Sequence, residues 1–153
     1  MDVTTPQLEL EGFIDRFTPE IATLGRRALE RMRARLPGAI QMVYDNWNGL
    51  VIGFGPNERP SDAIFSVVLF PRSVALCFLQ GAGLDDPHGI LRGSGTVNRH
   101  VVLESADDIA RPEVEDLIVR ALASARTPLD SAQEGRLIIR SISARQRPRR
   151  PAK

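Results

Sequence analysis

Apolar and polar positions change period along the chain. Between Thr18 and Gly38, Ile21, Leu24, Ala28, Met32 and Leu36 recur at steps of three and four, and Arg26, Arg27, Glu30, Arg31 and Arg33 cover much of the remaining surface. That spacing predicts an amphipathic helix of about five turns. Thr18 can cap it, Pro19 suits the first helical position, where its missing N–H costs nothing, and Pro37-Gly38 stops it. The intervening basic residues are most simply a solvated face. From Ile40 the period becomes that of strands. Ile40–Tyr44 and Leu50–Phe54 read as a hairpin around Asp45-Asn46. A loop over 55–62 leads to the near-continuous apolar run 63–70. Pro71-Arg72 makes a tight connection, and the chain returns as Val74–Leu79. Runs of that kind imply strands covered on both faces, by helices or by a partner subunit.

Residues 81–95 are the least regular stretch and hold five glycines. Asn98–Leu103 reads as a further strand. Pro112–Ala125 predicts a second helix with the stripe Val114, Leu117, Ile118, Ala121 and Leu122, and Asp107 or Asp108 begins the turn into it. Leu137–Ile142 closes as a strand. Residues 1–12 read as a polar lead-in and 143–153 as a basic arginine/proline tail. The strand pairs are local, and no long helix falls between 39 and 104, which argues against a doubly wound nucleotide fold. The expectation is a single α+β domain over residues 1–142: a curved antiparallel sheet with helices packed on one face.

The length of 153 residues fits that single domain, because a chain of this size buries roughly 68–70% of its extended surface. The one cysteine, Cys77, cannot supply a disulfide framework and fits a reducing compartment. No apolar run is long enough to span a membrane, and Met1–Glu11 lacks the basic and apolar regions of a signal peptide. A cytoplasmic protein without a membrane partner is expected. Lys and Arg total 20 against 19 Asp and Glu, a formal net charge of +1. Residues 140–153 carry six basic residues and no acid, so the rest of the chain stands at 14 − 19 = −5. The near-balance excludes a strongly basic nucleic-acid coat and a highly acidic disordered chain.

The candidate chemistry falls in three places. In the central loop, glycines permit left-handed turns and close ligand approach, and Arg92 and Arg99 can add charge-assisted donors to a phosphate or carboxylate. The plainer reading is a structural connection, since neither a dinucleotide nor a triphosphate fingerprint is present. Asp85, Asp86 and His88 have the element types of a metal site, although Asp-Asp-Pro more often starts a turn. No metal and no cofactor is expected. His100 is read first as a structural histidine. With His88, and with Asp45 or another nearby Asp, it forms the candidate acid–base set of a hydrolase- or isomerase-like enzyme.

Cys77, inside an apolar run, reads as a small core hydrophobe. Ser61, Ser66 and Ser94 lack a nucleophile-elbow context. The second place is the turn Tyr44-Asp45-Asn46-Trp47-Asn48-Gly49, read either as a local hairpin turn or as one wall of a ligand pocket. The third is the tail. It can meet phosphate, but no aromatic is interleaved with its arginines, so a stacking platform is not expected and nucleic acid is an unlikely partner, met only through that tail.

The order of these pieces resembles the YdhG-like domains, a widespread bacterial family of unknown function. The residues that carry the resemblance are the helix ending Leu36-Pro37, Val43-Tyr44-Asp45, the strand Leu50–Phe54, the run Val74–His100 with Asp86-Pro87, Leu91, Gly93, Gly95 and Arg99-His100, and the helix from Pro112. It covers roughly residues 18–142. It implies an α+β domain with an antiparallel sheet. One branch of the family is described as frataxin-like iron chaperones, whose binding uses acidic surface clusters. Here those would be Asp85, Asp86, Asp107, Asp108, Glu113, Glu115 and Asp116, and all but the first two are more simply caps and solvated helix residues. Family members commonly carry a lysine after the Gly-Ser-Gly region, where this chain has Thr96.

The leading expectation is a small non-enzymatic binding or accessory protein for a small anionic ligand or a protein partner. Its cleft would lie between the 44–49 turn and the 81–99 region, with Tyr44, Asp45, Trp47, Arg92, Arg99 and His100 as ligand contacts. The alternatives are the histidine enzyme and an iron or nucleic-acid accessory protein. A homodimer is a further expectation, because two strong helices are few to cover so many apolar strand residues.

Overall fold

The computed structural model describes residues 5–152. Three α-helices and six strands follow in the order α1 (Pro6–Asp15), α2 (Pro19–Arg35), β1 (Ile40–Asp45), β2 (Leu50–Gly55), β3 (Phe65–Phe70), β4 (Ser73–Phe78), β5 (Arg99–Leu103), α3 (Pro112–Ser124) and β6 (Arg136–Ile142). Short 3-10 turns cover Pro60–Asp62, Gly81–Gly83 and Ala106–Ala110. Much of the stretch read as a polar lead-in is therefore α1. Thr5 caps it by accepting from the Leu8 N–H, Pro6 opens it, and it buries Leu10 and Ile14. Thr18 caps α2 in the same manner, accepting from the Ile21 N–H. The turn into α3 is fixed by a capping box between Ser105 and Asp108.

The sheet corrects the expected curved antiparallel one. It is an open, mixed, six-stranded sheet of order β5-β4-β3-β2-β1-β6. β1 to β5 pair antiparallel with their sequence neighbours, but β6 lies parallel to β1, with Ile40 opposite Arg136 and Val43 opposite Ile139. The cause is where the chain re-enters the sheet. The Gln133 amide donates to the carbonyls of Gly38 and Pro56 at 2.7 and 3.0 Å, so the connection after α3 is tied beside the start of β1. A strand that starts beside the start of its neighbour runs parallel to it, and the intervening chain supplies the long crossover this needs.

Alternation gives the sheet two distinct faces. On one, the rungs Phe54-Phe65-Phe78, Ile52-Val67-Leu76 and Leu50-Leu69-Val74 run across β2, β3 and β4. These residues form one buried cluster with Leu10 and Ile14 of α1, Leu29 and Met32 of α2, and Leu117 and Ile118 of α3. Phe65 and Phe78 meet edge to face with centroids 5.6 Å apart, an arrangement that adds to their area burial. The other face carries Met42, Tyr44, Val51, Ser66, Val68 and Cys77 among its alternating positions, and none of these belongs to the helix-covered cluster.

Gly38 closes the turn between α2 and β1 at φ +83°, and a side chain there would run into the Asp130 carbonyl. Gly38→Ala is expected to destabilise the fold by about 2 kcal/mol or more. Gly83→Ala meets nothing within 4 Å and is expected to stay within about 0.5 kcal/mol. Urea denaturation of the two variants checks the contrast.

Candidate functional site

Asp45 ends β1 on the helix-covered side and is 1% exposed. A carboxylate buried this deeply needs a counter-charge, and the C-terminal tail provides it. Arg149, 3% exposed, donates from Nη2 to Asp45 Oδ1 at 2.8 Å and to the Asn46 carbonyl at 2.5 Å. Its guanidinium lies 5.7 Å from the centre of the Phe17 ring, and its Nε has no partner. Arg16 approaches Asp45 Oδ2 at 3.5 Å and donates to Gln146 Oε1 at 2.6 Å. The Gln146 amide donates to the Asp45 carbonyl, the Arg147 N–H to the Trp47 carbonyl, and Arg150 Nε to the Arg16 carbonyl. Residues 143–150 are thus a strap that ties the β1–β2 turn to the junction of α1 and α2.

The strap leaves two concave surfaces beside it. One is a groove of about 560 Å³ between the tail and the β3–β4 turn, lined by Asn48, Phe70, Arg72, Arg147 and Arg150 among others and by no acidic residue. None of these three arginines takes part in an ion pair among the described residues. The second, about 540 Å³, lies on the helix-free sheet face, with Trp47, Val51, Val68, Phe70 and Cys77 in its lining and Asn98 at its far side. Asn48 and Phe70 line both. Trp47 and Phe70 are 48% and 37% exposed. A side chain at Gly49 would meet the Leu69 carbonyl at 2.7 Å and the Phe70 ring at 3.1 Å, so the glycine lets the β3 backbone and Phe70 lie against the turn. The Arg147 guanidinium stands 5.9 Å from the centre of the Trp47 ring, within cation–π range.

The sequence candidates are largely dispersed. Along the strands, Asp45 shares its rung with Leu50, Leu69, Val74 and Leu103, while Arg99 sits on the rung of Phe78, Phe65 and Phe54. The 44–49 turn and the glycine-rich region therefore occupy opposite ends of the sheet, about 13 Å apart along the strand direction. The helix-free face joins them through Asn98 alone. The Tyr44 hydroxyl donates to the Met42 sulfur at 3.9 Å. Arg99 donates to the carbonyls of Gly95 and Asn98, which turns its guanidinium back into its own loop. Arg92 is exposed and pairs through its backbone with His100.

His100 stands opposite Cys77 on β5, with Nδ1 near Gly93, and His88 is exposed in the loop. Among the described residues, no hydrogen bond joins either histidine to a carboxylate. Asp86 accepts the N–H groups of Ile90 and Leu91 within its own loop, and Asp85 pairs with Arg120. No group of three His, Cys, Asp or Glu is gathered as a metal would require, among the described residues. The glycine-rich loop does wall a cleft of about 520 Å³, but its opposite wall is the Pro60–Asp62 turn and the end of α3, with Asp62, Gln80 and Arg126 at the rim.

The arginines that line the groove were hidden in the sequence. Arg72 reads as part of a tight turn, and the tail arginines carry no sign of which one turns inward. The signal that was legible is Asp45 at the end of an apolar strand, a position that calls for a counter-charge.

No family model, no curated protein and no solved structure matches the chain. No helix among the described residues is long and apolar enough to cross a membrane.

Two outcomes follow from the strap and the sheet face. Arg149→Ala, which strands the Asp45 carboxylate, is expected to cost about 3–5 kcal/mol in urea denaturation, and Asp45→Asn combined with Arg149→Met is expected to recover much of that loss. Cys77 lies beside Ser66 on the sheet face. Burial pushes its thiol above the ordinary range, and the Ser66 hydroxyl only partly offsets this. A raised pKa keeps the unreactive thiol to higher pH. Iodoacetamide labelling followed by mass spectrometry should therefore show a higher pH midpoint for the native protein than for the urea-unfolded chain.

Proposed function

We propose that the protein is a non-enzymatic binding or accessory domain that holds an anionic partner in the groove formed by Arg72, Arg147 and Arg150. The supporting observation is that these three arginines line one groove, together with Phe70, while no described carboxylate pairs with any of them. Like charges gathered without counter-charge raise the local potential, and an anion that bridges them gains charge-assisted hydrogen bonds. This keeps the anionic ligand read from the sequence but moves its donors from Arg92 and Arg99 to the tail and the β3–β4 turn. The enzyme reading has less behind it, because Asp45 is bound by Arg149 and the histidines have no carboxylate partner among the described residues. The iron reading is weakened in the same way. Asp107, Glu115 and Asp116 are each paired with an arginine.

Calorimetric titration with sodium tripolyphosphate at low salt tests the proposal. Binding that weakens as salt rises is expected, and Arg72→Ser with Arg147→Ser should weaken it at least about tenfold. Arg59→Ser with Arg126→Ser removes the same charge elsewhere and should leave it nearly unchanged. Equal losses in the two double variants, or no binding by the parent protein, would overturn the assignment.

A further inference from the structure

The arginine groove does not end at the arginines. It opens through Asn48 and Phe70 onto the helix-free face of the sheet. No position that alternates onto that face from β1 to β6 is Asp or Glu. Resting on the anion-binding reading above, we infer that this face and its groove bind single-stranded nucleic acid, with phosphates on Arg72, Arg147 and Arg150 and bases against Trp47 and Phe70.

Three features favour this occupant. The first is charge: a basic rim around an acid-free surface complements a polyanion. The second is the pair of exposed aromatic side chains in the lining of the face, Trp47 and Phe70. Phe70 lies at the junction of groove and face, and Trp47 lines the face beside a guanidinium. Aromatic rings beside cations are what unstacked bases settle on. The third is polarity. Asn46, Asn48, Asn98 and Ser143 interrupt the apolar lining, offering donors and acceptors to base edges.

A lipid surface would take the arginines but would leave those amides facing acyl chains without partners. A second copy of the chain brings no carboxylate to the rim through this face, since the face has none. The tail has no aromatic of its own. The fold supplies the rings from residues more than seventy positions earlier in the chain.

Fluorescence anisotropy with labelled twelve-residue oligouridylate and oligothymidylate tests the inference. Binding is expected, with a log–log salt dependence that becomes shallower by about 0.7 in Arg147→Ser, the loss of one phosphate contact. Trp47→Ala and Phe70→Ala should each weaken oligonucleotide binding about tenfold or more and tripolyphosphate binding by a clearly smaller factor, because only the oligonucleotide places bases on the rings, a split that a merely structural role does not produce. Bound oligonucleotide should also protect Cys77 from iodoacetamide.

If tripolyphosphate binds through the arginines but the oligonucleotides bind without dependence on Trp47 or Phe70, the nucleic-acid inference falls and the anion reading stands. If neither probe binds, both fall. Tighter, Trp47-dependent binding to phosphatidylglycerol vesicles or to a polyglutamate peptide would reassign the face and overturn the inference.

Discussion

The fold turns on the burial of one carboxylate. Asp45 sits at the end of a central strand with almost no exposure, and it accepts from Arg149 at 2.8 Å. An unpaired carboxylate in that position costs several kcal/mol, so the stretch that carries Arg149 is held to the body. Once Arg149 is anchored, its neighbours have little choice. Pro148 and Pro151 exclude helix on either side, and Arg147 and Arg150 are left exposed while Arg149 is covered. The same contact fixes the β1–β2 turn, because Arg149 and Arg147 also bond to the carbonyls of Asn46 and Trp47. The groove and the exposed Trp47 are thus geometric consequences of a structural ion pair. The pair contributes more to where the chain runs than to net stability, since Arg149 Nε remains without a partner.

Most of the elements were legible in local chemistry. Thr18-Pro19 and Pro37-Gly38 bracket α2, and Pro112 starts α3, because caps and proline act on the residues beside them. The hairpin strands follow from apolar runs broken by turn residues. Three features were not legible. α1 was read as lead-in because its two buried positions, Leu10 and Ile14, make too narrow a stripe among Gln7, Glu9 and Glu11. The parallel placement of β6 depends on Gln133 reaching Gly38, a contact 95 residues apart in sequence. The docking of the tail depends on Arg149 meeting a residue 104 positions earlier. Periodicity carries no information about either contact.

The candidate site divides along the same line. The residues singled out carry groups capable of ligand chemistry, but several are already used by the structure around them. Asp86 accepts N–H groups of its own loop, Arg99 holds the loop it was expected to serve, and Asp45 is neutralised by the tail. A polar residue in a tight turn usually finds a nearby backbone partner before it finds a ligand. Arg72, Arg147 and Arg150 are among the arginines that take part in no ion pair among the described residues, and all three adjoin a proline in the sequence.

The formal charge of +1 shows how an average conceals such a division. On the helix side, Glu11 and Asp15 meet Arg26, Asp107 meets Arg31, Glu115 meets Arg35, and Asp116 meets Arg120. That layer is close to internally neutral. At the end of the sheet that holds the β1–β2 and β3–β4 turns, Arg72, Arg147 and Arg150 stand without an ion pair among the described residues. At physiological salt the screening length is about 8 Å, shorter than the depth of a helix layer stacked on a sheet. A partner approaching the sheet face therefore meets the local arginines and not the whole-chain balance. The fold thus gathers many of the acids into ion pairs within the helix layer and leaves the three groove arginines without one among the described residues.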